Sequence, residues 1–116
     1  MTFTSSGVYS ITFSIQFANS SATMYDAQVW LRKNGVTSAL DVADSNSRFS
    51  ITSKHGSTNG HVIGTVNFVM SLSAGDYIVL AWSAENTSVV IETTAATTGT
   101  PTAPRTPAVI LTAVQV

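Results

Sequence analysis

The amino-acid sequence predicts an all-β chain, folded as an antiparallel β-sandwich or jelly roll. Three observations carry this. Apolar and polar residues alternate along several short stretches, the period of a strand with one face in a core. Turn residues recur between those stretches, and no segment shows a convincing helical period. The composition suits strands and turns: 16 serines and 17 threonines stand beside only 9% charged residues. Ordinary domains carry about 25% charge, so hydroxyls here replace charges on the polar faces.

Gly7 opens the first strand. Tyr9, Ile11, Phe13, Ile15 and Phe17 share one face, and Val8, Ser10, Thr12, Ser14 and Gln16 share the other. Asn19 to Thr23 is a polar turn. Ala27 to Lys33 follows, with Val29 and Leu31 opposite Gln28, Trp30 and Arg32. Asn34-Gly35 is the strongest short hairpin signal in the chain. Val36 to Ala43 reads as a short strand or loop, and Arg48 to Ser53 as a strand with Phe49 and Ile51 in phase. Lys54 to Gly60 is a loop by its Gly, Ser and Asn content. In His61 to Leu72, Val62, Val66, Phe68, Met70 and Leu72 share a face. Ser73 to Asp76 is a turn, with Asp76 in turn chemistry. Tyr77 to Ser83 and Ser88 to Thr93 flank the Glu85-Asn86-Thr87 turn. Thr94 to Pro107 is rich in Thr, Ala and Pro. Prolines 101, 104 and 107 keep it out of a sheet interior, so it reads as an extended surface connection. Ala108 to Val116 is the last strand.

A length of 116 residues makes one domain, 1–116, with one core. The expected core is Tyr9, Ile11, Phe13, Val29, Leu31, Val66, Phe68, Met70, Ile78, Leu80 and Val90. One strand breaks the alternation. Ile78, Leu80 and Trp82 are apolar, and so are Tyr77, Val79 and Ala81 on its other face. Val109, Leu111 and Ala113, opposite Ile110 and Val114, repeat the pattern. An antiparallel sandwich strand ordinarily faces water on one side, so both strands point to burial between subunits in preference to cover by a terminus or loop of the same chain.

Several functions are excluded. A net charge of -1 gives no electrostatic footprint for nucleic acid. The apolar runs fall far short of the ~20 residues of a membrane span, so no membrane insertion is expected. Met1 to Thr4 has neither the basic nor the apolar region of a leader, so no targeting segment is expected. Without cysteine there is no thiolate chemistry or disulfide. His55 and His61 lack nearby carboxylates to complete a metal set. Asp41, Asp44 and Asn46 lack the central Gly and terminal Glu of a calcium loop and read as solvated. No Gly-x-Ser-x-Gly elbow occurs. The chain is therefore expected to be no enzyme and to need no metal or cofactor. Binding is expected on loops: Lys54, His55, Asn59 and His61 offer donors and acceptors, and the 94–107 loop is long. Trp30, on an outer face, reads as a seam aromatic or as a platform for stacking a carbohydrate.

Three motifs carry a resemblance. Gly7-Val8-Tyr9-Ser10-Ile11-Thr12-Phe13 resembles the Gly-x-Tyr-x-Phe strand of the complement component 1q globular-head family. Trp30 to Gly35 resembles that family's strand ending in Lys-Asn-Gly. Leu72 to Leu80 resembles its Leu-x-x-Gly-Asp-x-Val-x-Leu. The match runs in order along most of the chain. It implies the jelly roll shared with tumour necrosis factor and a homotrimer. The implied axis face is Ser10, Thr12, Ser14, Tyr77, Val79 and Ala81, with some of Val109, Leu111 and Ala113. The family has one or two strands before Gly-x-Tyr, and this chain begins almost at it. His55 to His61, Asn67 to Leu72 and the Pro-punctuated loop resemble virion proteins of tailed phages. The implied function is a non-enzymatic, trimeric virion protein, either a fibre head or a capsid decoration protein. Its expected partners are other virion proteins or a host-surface receptor. The alternative is a receptor- or glycan-binding module at a fibre tip or on a bacterial cell surface.

Overall fold

A computed structural model describes all residues, Met1 to Val116. Seven strands form two antiparallel sheets: β1 (Gly7–Asn19), β2 (Tyr25–Lys33), β3 (Ser47–Ile51), β4 (Gly60–Leu72), β5 (Ile78–Ala84), β6 (Val89–Ile91) and β7 (Val109–Gln115). The only helical element is a single 3-10 turn, Ser38–Leu40. In one sheet β1 lies between β4 and the two strands β6 and β7, which meet its opposite edge end to end. In the other, β2 lies between β3 and β5.

Alternation places the core between them. Phe13, Ile15 and Phe17 of β1 pack with Ala27 and Val29 of β2, Ile51 of β3 and Val89 of β6. A second cluster joins Phe3, Tyr9, Ile11, Leu72 and Ile78. The Phe17 and Phe49 rings meet across the sheets at 5.9 Å. Phe49 also lies over Gly64, where a Cβ would sit 2.9 Å from its ring, so a side chain there would have to displace the ring. Tyr9, Ile11, Phe13, Val29, Leu31 and Ile78 are buried as expected, and Val66, Phe68, Met70 and Leu80 are partly buried.

Val90 is a correction. It is 44% exposed, and its neighbour Val89 is 3% exposed. Pairing of Phe17 with Ile91 and of Asn19 with Val89 turns the odd-numbered residues inward. Trp82 lies on the inward side of β5 yet is exposed. The reason is the free edge of β5. Met1 to Phe3 pairs with it only as far as Ile78, so cover is lost toward Trp82.

The Asn34-Gly35 signal does not make a tight hairpin, because β3 begins only at Ser47. Asn34 takes φ 63° and ties the end of β2 to the Ser73–Tyr77 turn. Its Oδ1 accepts from the Tyr77 N–H at 2.9 Å, and its Nδ2 donates to Asp76 Oδ1 at 2.8 Å. In that turn Gly75 adopts φ 90°, and Asp76 Oδ2 accepts from the Ser73 N–H at 2.8 Å. Lys33 Nζ adds an ion pair at 3.0 Å. The Asn34 amide, the Ser73 N–H and the Lys33 ammonium together hold the Asp76 carboxyl at about 2, below its ordinary 3.8. A depressed carboxyl pKa contributes stability above the ordinary value, and that contribution is lost as pH falls through the folded one. The stability difference between wild type and Asp76→Asn should therefore shrink between pH 3.8 and about 2. Denaturant midpoints across that window measure it, and a pH-independent difference would contradict it.

The 94–107 segment is more ordered than an extended connection. Thr94 pairs with Thr106 and Thr97 with Ala103, so it folds back on itself as an irregular ribbon.

At the opposite end of β1, Asn19 is fully buried. Its Nδ2 donates to Thr23 O and Ile51 O, and its Oδ1 accepts from the Ser21 N–H. One amide thus closes the first turn and clamps the two sheets. Asn19→Ala strands these groups and should cost about 1–3 kcal/mol in equilibrium unfolding.

Candidate binding site

A single pocket of about 360 Å³ opens on the outer face of the β2 sheet. Its floor is Gln28 and Trp30 of β2 with Ser83 of β5, which lies opposite Gln28 in register. Its wall is Asp41, Val42, Asp44 and Asn46 from the β2–β3 loop.

That loop is held by buried Ser45. Ser45 Oγ accepts from the Leu31 N–H at 3.0 Å and donates to Val42 O at 2.8 Å, while Val42 N–H donates to Leu31 O at 2.8 Å. Asp44, at φ 60°, makes the bend before it. Asp41 Oδ1 accepts from Trp30 Nε1 at 2.8 Å and from Arg32 Nε at 2.6 Å. The Arg32 guanidinium also lies 5.5 Å from the Trp30 ring centre. The hydrogen bond from Arg32 keeps the Asp41 carboxyl below its ordinary pKa, so it stays ionised. Asn46 Nδ2 donates to Gln28 Oε1 at 2.7 Å. The wall is preformed by contacts within the fold, which spares a ligand the ordering cost.

Of the residues expected to bind, only Trp30 lines this pocket. Lys54, His55, Asn59 and His61 lie elsewhere, at the end of the sandwich where Lys54 N–H meets Ser21 O. His55 and Thr58 close a tight turn there, and His61 Nε2 stands 3.5 Å from Glu92 Oε2. Asp41, Asp44 and Asn46, read as a solvated loop, instead form the pocket wall. Spacing could flag Gln28 beside Trp30 on one face, but Ser83 joins them only through the β2–β5 register.

The expected axis residues divide. Ser10, Thr12 and Ser14 lie on the outer face of the β1 sheet, where Asn67 Nδ2 donates to Ser10 Oγ at 2.9 Å and Thr12 Oγ1 at 2.7 Å. Val79 and Ala81 lie opposite Arg32 and Trp30, on the outer face of the β2 sheet, with Tyr77 just before β5 on the same side. These two faces look away from each other across the sandwich. Leu111 and Ala113 are a further correction. Their register with Phe13 and Ile11 turns them inward against the core, and Val109 opposite Ile15 shares that side. Ile110 and Val114 point outward instead, opposite Ser14 and Ser10.

No group of three or more His, Asp or Glu side chains is placed to hold a metal ion. No helix is long and apolar enough to cross a membrane. Compared with protein-family models, curated proteins and solved structures, the chain gives no match.

Proposed function

We propose that this protein is a non-enzymatic structural protein of a tailed-phage virion, a jelly-roll domain that assembles as a homotrimer in a fibre head or capsid decoration. The observation that carries the assembly is the outer face of the β1 sheet. Ile63 and Val69 of β4 are 61% and 65% exposed there, and Ile110 and Val114 of β7 are 51% and 58% exposed. Between them run Ser10, Thr12, Ser14, Thr65 and Asn67. Across β1, β4 and β7 this face carries no acidic residue, lysine or arginine. Exposed apolar patches of this kind mark interaction sites, and interface centres are depleted in charge. An uncharged face selects no oppositely charged partner, and it suits identical copies.

The axis face proposed from the structure keeps Ser10, Thr12 and Ser14. It replaces Tyr77, Val79, Ala81, Val109, Leu111 and Ala113 with Ile63, Val69, Ile110 and Val114. The resemblance to the complement component 1q family supports the trimer. The chain path, which visits the β1 sheet, the β2 sheet twice, the β1 sheet, the β2 sheet and the β1 sheet again, supports the jelly-roll reading. The low charge and Ser/Thr-rich surface suit a virion module. Light scattering at micromolar concentration should give three times the chain mass, and a stable monomer would reject the assembly. Cosedimentation with purified virions tests the location. A second reading, a receptor- or glycan-binding module, is favoured by the Trp30 pocket.

A further inference from the structure

The pocket on the β2 sheet contains polar groups that the fold does not use. Asp44 makes no hydrogen bond or ion pair within the chain, and neither does the Ser83 hydroxyl. Asp41 spends one oxygen on Trp30 and Arg32 and leaves the other free. The Gln28–Asn46 pair leaves one amide oxygen and one amino group unbonded, whichever way the two amides are turned. These groups converge beside an indole.

We propose that the pocket binds a neutral sugar ring, as the terminal or internal residue of a glycan. Sugar hydroxyls both donate and accept, so they match a lining that mixes carboxylate acceptors, an amide pair and a hydroxyl. The apolar C–H face of a pyranose matches the indole of Trp30. No lysine, arginine or histidine lines the pocket, whereas Asp41 and Asp44 do. Of the arginines on this face, Arg32 is bound to Asp41 and to Val36 O, and Arg48, opposite Gln28 in register, stands 3.9 Å from Asp26. An anionic ligand would meet the unpaired Asp44 carboxylate and the free oxygen of Asp41, so phosphates and acidic sugars are disfavoured. The volume of about 360 Å³ lies at the small end of ligand pockets, enough for one or two rings and not for a long chain. This assignment deepens the glycan-binding reading and does not depend on the trimer.

The test uses the full chain carrying Trp82→Phe, which leaves Trp30 as its only indole. It is titrated with maltose, lactose, cellobiose and N,N′-diacetylchitobiose, and separately with glucuronate and with calcium chloride. Trp30 emission and the Trp30 Nε1–H resonance are followed. At least one neutral disaccharide should shift both signals saturably, and glucuronate and calcium should not. Asp44→Gly removes the carboxylate and suits the positive φ of that position, and Ser83→Ala removes an exposed hydroxyl without a partner in the fold, so both variants should fold normally. Each should weaken that response by up to about tenfold. The proposal is overturned by no saturable response to any of the neutral sugars at roughly 50 mM, far above a dissociation constant of about 1 mM. It is equally overturned by a response to calcium or glucuronate alone, or by one that both variants leave unchanged. Light scattering on the same samples reads the oligomeric state separately, so a monomer that binds sugar would reject the trimer and keep the pocket.

Discussion

Val69→Asp is expected to break the proposed trimer into folded monomers. Val69 lies on β4 with its side chain on the outer face of the β1 sheet, and it takes no part in either core cluster. An aspartate there is tolerated in the monomer, because the side chain meets water. In the trimer three carboxylates would be buried on an uncharged face without a cation to pair them. Each would lose hydration worth several kcal/mol, so association should weaken by more than about a hundredfold. Light scattering at micromolar concentration should then give the single-chain mass, with the circular dichroism of the parent. Val79→Asp is the control. It lies opposite Arg32 on the other outer face, so the trimer should survive it. The opposite result, with Val79→Asp dissociating the assembly and Val69→Asp leaving it intact, would move the interface to the β2 sheet.

The largest loss of stability is expected from Phe13→Ala. Phe13 is fully buried at the centre of β1, between β4 and β7, with its ring 6.1 Å from that of Phe68. Removing a buried phenylalanine costs the transfer free energy of the ring and leaves a cavity, together about 3–5 kcal/mol. A domain of this size is stable by only about 5–15 kcal/mol, so the variant should sit near the edge of unfolding. Phe68→Ala should cost less than Phe13→Ala, because Phe68 is only partly buried. Urea melts of both variants measure the order. Equal losses would mean that Phe68 is packed in solution as closely as Phe13.

Much of this molecule was legible because strand alternation is local. The phase of β1 follows from its own residues: Tyr9 to Phe17 at odd positions are apolar, and the even positions are Ser, Thr and Gln. The same holds for Val29 and Leu31 in β2 and for the 62–72 face of β4. Where a strand is very short, phase fails. Val89-Val90-Ile91 reads equally well either way, and only pairing of Ile91 with Phe17 turns Val89 inward. β7 is apolar on both sides, so its sequence could not say that Leu111 meets the core and Ile110 the outside; its register with β1 does.

Alternation assigns each residue to a side of its strand, not to a side of the sandwich. Sequence by itself therefore determined the all-β class, the approximate strands, most of the core and the scarcity of charge. Tertiary pairing decided that Ser10 and Val79 face opposite ways. It brought Ser83 beside Gln28 and folded Asp41, Asp44 and Asn46 over Trp30. Those choices depend on contacts between residues far apart in the chain, and no local pattern of residues encodes them.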